Sequence, residues 1–168
     1  MRNNGERESE PLRELRARIE VESKDGFQLL ENLEQNPICS VSLDEEIPAI
    51  VVIWKRYATS GQLRFIHESI LELLKKHRLE RILGDDTALP TIHHEDQSWI
   101  VEDWMPRAIS AGLKAAASKS PSSYWGKISV DAIQAIAPHG LVLRSFSDLT
   151  AAREWLSGYG AATTQSPA

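Results

Sequence analysis

A single cysteine, Cys39, occurs among 168 residues. With no second thiol, an internal disulfide is excluded, and a cysteine-based zinc site cannot be assembled from this chain alone. Cys39 lies in an alternating apolar stretch and reads as a small buried strand residue rather than a reactive thiol. No apolar run reaches the roughly 18 residues of a membrane span, and the opening MRNNGERESE lacks the apolar core of a secretion signal. A cytoplasmic protein is the expectation. Basic charge is outnumbered: 19 Lys and Arg against 24 Asp and Glu give a formal net charge of -5, which supplies no general attraction to nucleic acid or an anionic membrane. The phosphate-cradling and nucleophile patterns GxGxxG, GxxxxGK with Ser or Thr, and GxSxG are absent, so nothing here points to turnover.

What is present fits one globular domain with tails, since 42% of the residues are hydrophobic and 26% charged. Residues 1–36 form a charged arm, expected to be helical in part or flexible. Leu12, Leu15 and Ile19 offer a thin helical stripe, Glu14 and Arg18 an i, i+4 pair, and Phe27 to Leu33 a second apolar cluster before the Asn36-Pro37 turn signal. Residues 37–158 form the domain, and 159–168 read as a disordered tail.

Within the domain, Cys39, Val41 and Leu43 alternate with serines as in a strand with one wet face, and Ile47 to Trp54 is a branched apolar run suited to a central strand. The two are expected to form a hairpin. Leu63, Ile66, Ile70, Leu73 and Leu74 follow helical spacing, with Ser60 as the expected N-cap and Lys75 and Lys76 near the negative end. Arg81 to Asp85 and Leu113 to Ser118 are short strand candidates on either side of a helical segment, Glu95 to Leu113, whose Ile100, Val101, Trp104, Met105 and Ala108 share a face. Pro106 lies inside that pattern, which predicts a kink there or, alternatively, a second short helix with Pro106 in its first turn. A loop at 120–126 precedes a helix with Ile128, Ala132, Ile133 and Ile136 expected inward, then a strand at Leu141 to Phe146 and a helix capped by Ser147 and Asp148. The fold class is α/β: a mixed, mainly parallel five-stranded sheet with an antiparallel hairpin at its start and about four covering helices.

Two groups of side chains carry the candidate chemistry. Asp85 and Asp86, with Lys55 and Lys119, follow strands, where open α/β sheets bind ligands; the competing reading is ordinary strand-end turns with Asp85 capping backbone donors. Trp99, Tyr124 and Trp125 are candidates for a partner-contact or pocket-lining patch, whereas Trp54, Trp104 and Trp155 read as core. His93, His94, Glu95 and Asp96 are adjacent rather than spaced i, i+4, so they suit a solvated helix start better than a metal site or proton transfer. No cofactor is expected.

In combination, Asp85 at a strand end, EDQSW at Glu95 to Trp99, Trp104, Pro106, Arg107, Ala111 and Gly112 resemble the SpoIIAA-like branch of the STAS superfamily, sometimes grouped with the CRAL-TRIO lipid-binding domains. IVVIWK, YWGKISVDAI and RSFSDLTAAREWL support the resemblance, which runs from about Cys39 to Leu156. It implies a mixed five-stranded sheet with four helices and a non-catalytic regulatory or protein-interaction role, with a protein partner expected; a homodimer through the 95–113 helix is a separate expectation. The alternative it implies is a binding protein for a small apolar or amphipathic, lipid-like ligand. STAS regulators carry a phosphorylated serine in an Asp-Ser-Ser-Gly type motif after the third strand; here that region reads DDTALPTIHHED and holds no such serine, with Thr91 more simply a turn residue.

Overall fold

The computed structural model describes residues 19–22, 27–30 and 38–159. The five strands expected from the sequence are β3 (Cys39–Asp44), β4 (Ala49–Trp54), β5 (Arg81–Asp85), β6 (Ala115–Lys119) and β7 (Val142–Phe146). β3 and β4 pair antiparallel, and β4 to β7 pair parallel in sequential order. Two further strands, β1 (Ile19–Glu22) and β2 (Phe27–Leu30), extend the antiparallel side and make the sheet seven-stranded. Part of the stretch expected as a charged arm is thus sheet; the helical pairing of Glu14 with Arg18 and the tail beyond Tyr159 lie outside the described residues.

Four helices cover the sheet: α1 (Ser60–His77), α2 (residues 94–110), α3 (Tyr124–Ala135) and α4 (Leu149–Gly158). The crossovers holding α1, α2 and α3 each step one strand in the same direction, so a single handedness puts all three on one face. Buried residues agree. Ile50, Val52 and Trp54 of β4 share a core with Ile66, Ile70 and Leu74 of α1, Ile100, Trp104 and Met105 of α2, and Ile133 of α3. The opposite face packs Ala49, Leu83, Ala115 and Ala117 against Ala152 and Leu156 of α4. Period-two alternation explains the split, because neighbours along each strand point to opposite faces. Cys39 and Val41 are wholly buried while Ser40 and Ser42, which alternate with them, are only partly so, as the one-wet-face pattern requires.

Two local expectations are corrected. The N-cap of α1 is Thr59, not Ser60: Thr59 Oγ1 accepts from the Gln62 N–H, and the Gln62 side chain accepts from the Thr59 N–H in return. Ser60 instead gives its hydroxyl to the buried carboxylate of Asp96, which also accepts from Arg64 Nε at 3.0 Å. In α2 the second of the two expected arrangements is found, a short helical segment with Pro106 in its first turn. An α segment, His94–Trp99, passes through a π turn, Ile100–Trp104, into a closing α segment, Met105–Ser110, with Pro106 in its first turn. The Met105 N–H bonds the Ile100 carbonyl five residues back, and this wider turn accommodates a residue that has no N–H and whose ring would crowd an ordinary turn.

The second correction concerns α3. It begins at Tyr124, capped by Ser123, and turns Gly126, Ser129 and Ile133 inward, leaving Ile128, Ala132 and Ile136 exposed. Gly126 decides the face. A Cβ there would lie 2.4 Å from the Leu89 carbonyl oxygen and 2.8 Å from Pro121 Cβ, so only glycine lets the helix approach this closely.

Candidate functional site

Between the face of β4 to β7 and the three helices that cover it lies a cavity of about 170 Å3, which reaches from Leu113 and Leu141 at the amino ends of the strands to Asp86 at the carboxyl end of β5. Val52 and Trp54 of β4, Ile82 and Gly84 of β5, and Ala116 and Ser118 of β6 form its floor. His67 and Ile70 of α1, Ile100, Trp104 and Met105 of α2, and Val130, Ile133 and Gln134 of α3 close it. Small residues on the sheet make the space: glycine and alanine stand where neighbouring strand positions carry branched side chains. The π turn contributes as well, since Ile100 and Trp104 both lie in it and both face the cavity.

Asp86 is the acidic group on this wall. It follows β5, its N–H donates to the Lys119 carbonyl, and its carboxylate accepts from the Ser118 hydroxyl. Burial pushes its pKa up from 3.8 to about 6, opposed by the serine and reinforced by the charge of Asp85. Among the described residues no Lys or Arg is paired with it.

His67 lines the opposite part. Its Nδ1 lies 2.9 Å from the Leu63 carbonyl, so that nitrogen carries the proton and Nε2 is left as an acceptor. Burial holds the imidazole below its usual range, which keeps it neutral. Its ring meets Trp104 edge to face at 4.9 Å and Trp99 at 6.0 Å, and the Trp104 indole N–H donates to the His67 carbonyl at 2.7 Å. Trp104 therefore presents only ring surface to the cavity. Arg107 fixes α2 on α1 from outside, through Glu68 of α1 and Asp103 of the π turn.

The strand-end residues singled out from sequence divide. Asp86 faces the cavity; Asp85 turns away, accepting from the Thr87 N–H at 3.0 Å and from its hydroxyl, which is the turn-capping role. Lys119 lies beside Asp85 in the strand register, and Lys55 follows β4 with its side chain exposed. Tyr124 and Trp125 stand together at the start of α3, rings 5.4 Å apart and both about two-thirds exposed. Trp99 is apart from them in role, packed on His67 and under the Arg64 guanidinium at 5.1 Å. Trp54 and Trp104 are buried core, and Trp155 is half-buried against Phe146 and Tyr159. Cys39 is wholly buried and its thiol is pushed up to about 12, chiefly by desolvation. His93, His94 and Glu95 are exposed while Asp96 is buried against Ser60 and Arg64, so the four do not converge; no group of His, Cys, Asp or Glu among the described residues is placed to hold a metal.

Sequence reasoning missed His67 and Gln134 as wall residues; only the packing of three helices over β5 and β6 brings them to one space with Ser118, which the sequence places among the strand-end residues of a candidate crevice. No helix among the described residues is long and apolar enough to cross a membrane. Comparison with protein-family models, curated proteins and solved structures gave no match.

Proposed function

We propose that this chain is a cytoplasmic, non-catalytic binding module of the STAS-like kind, holding one small, largely apolar molecule between its sheet and helices. A single observation carries the reading: an apolar cavity of about 170 Å3 with a half-buried carboxylate, Asp86, on its wall. Ligand sites are concave, mainly apolar and oriented by a few polar groups, and in open α/β sheets they lie beyond the carboxyl ends of the strands. A cavity of about 150 Å3 lined by apolar side chains admits benzene, so the space here suits a body of roughly one ring with a short chain. Native mass spectrometry of protein purified from its own cells tests the reading. A stoichiometric small-molecule adduct supports it, and a bare mass under conditions that retain weak complexes speaks against it.

A second reading, a regulatory module that docks a protein, rests on a different surface. Tyr124, Trp125, Ile128 and Ile136 along α3, with Val142 at the start of the edge strand β7, are between 41% and 70% exposed. Exposed apolar patches of this kind mark interaction surfaces when contiguous. Sedimentation at several concentrations separates a homodimer from a monomer, and Trp125→Glu should abolish any association that uses this face.

A further inference from the structure

The polar groups on the cavity wall say what kind of head the bound molecule carries. Among the described residues Asp86 has one side-chain hydrogen-bond partner, Ser118, and that hydroxyl is spent on it. Gln134 donates through its amide nitrogen to Ser145 Oγ at 2.6 Å, leaving its carbonyl oxygen without a partner among the described residues. His67 has given its one N–H to Leu63, and Nε2 has no partner among the described residues. The spare side-chain capacity of these lining residues is therefore mainly acceptor. Its sign is negative too. Asp85 stands next to Asp86, His67 is neutral, and Arg144, the one cation lining the cavity, stacks its guanidinium 5.5 Å from Phe146 and 5.7 Å from Trp155, both of the opposite core.

Resting on the ligand-binding reading above, we propose that the cavity is a site for a small primary amine with a ring or branched apolar body, its ammonium seated against the Asp86 carboxylate. An ammonium supplies donors only, which matches the acceptors, and it neutralises a carboxylate that the fold leaves without a cation. The rings of Trp54 and Trp104 give such a cation apolar and π surface at the cavity wall. A carboxylate or phosphate head would add a like charge beside Asp86 and Asp85 and would be rejected.

Calorimetric titration at pH 8 with phenethylamine, 2-phenylethanol and phenylacetate tests the proposal, since the three share a body and differ in head. The expected order is amine first, tighter than the alcohol by roughly tenfold or more, with the anion weakest. Asp86→Asn should bring amine and alcohol to within about twofold of each other. Equal binding of amine and alcohol, or preference for phenylacetate, overturns the amine assignment but leaves the cavity reading standing. Failure of all three to bind overturns both. The ranking in the unaltered protein decides the matter even if the Asn variant does not fold.

Discussion

Ser118 on β6 donates its hydroxyl hydrogen to the carboxylate of Asp86 just beyond β5, across a gap that Gly84 keeps open. A Cβ on Gly84 would lie 3.0 Å from Ser118 Cβ and 3.4 Å from Asp86 Oδ1. The glycine, the serine and the acid thus form one unit: the first makes room, the second orients the third, and the third gives an otherwise apolar cavity its charge.

That charge should be visible in stability. The folded pKa of Asp86 is raised from 3.8 to about 6, so the folded state holds its proton more tightly than the unfolded chain does. The favourable contribution is complete below about pH 4 and is lost as pH rises through about 6, an effect of about 3 kcal/mol for a shift of roughly two units. Asp86→Asn should therefore be near neutral at pH 4 and stabilising at pH 8. Urea denaturation of both proteins across that range checks it; a variant less stable at pH 8 would show that the carboxylate is better accommodated than its surroundings imply.

Gly126 and Gly61 make a contrasting pair. Gly126→Ala drives a methyl group into the Leu89 carbonyl and should cost about 2 kcal/mol or more. Gly61→Ala, in the first turn of α1 with nothing within 4 Å of the new Cβ, should gain up to about 1 kcal/mol. Thermal melts of the two variants should move in opposite directions.

Most strands of the domain and the first and last helices were legible in the sequence because they rest on local pattern: alternation in Cys39 to Leu43, a branched run at Ile47 to Trp54, helical spacing from Leu63 to Leu74; the strand at Leu113 to Ser118 followed from its place between two helices. What escaped depended on partners distant in sequence. Ile128 and Ile136 obey helical spacing as well as Ile133 does, and only the contact of Gly126 with the Leu89 backbone selects the face. The π turn follows from Pro106, but a missing N–H predicts trouble and not its solution. Asp86 was singled out together with Asp85 because both follow a strand; which of the two faces the cavity depends on Thr87 capturing Asp85. The cavity itself was invisible, since it is made by small residues, Gly84 and Ala116, on different strands.

Asp96 is buried at 2% exposure, and Arg64, its ion-pair partner, is 42% exposed. Arg64→Ala leaves the carboxylate with Ser60 alone and should cost about 1–2 kcal/mol, less than a fully buried pair because water can reach the vacated side. Asp96→Asn in the Arg64→Ala background should recover part of the loss. A double-mutant cycle by chemical denaturation measures the coupling.

Filling the cavity tests its role most directly. Ala116→Leu places a branched side chain between Ile82 and Leu143, where the native wall has only a methyl group. It should raise the melting temperature of the empty protein, a gain of about 0.5–2 kcal/mol for a well-fitted filling, and remove the space a ligand needs. The deciding measurement is a nuclear magnetic resonance titration of the native and Ala116→Leu proteins with phenethylamine, following the indole N–H signals of Trp54 and Trp104 and the backbone amides of Gly84 and Asp86. The account predicts saturable one-to-one shifts confined to these residues in the native protein and none in the variant. Absence of saturable shifts in the native protein, or identical shifts in both, would contradict it.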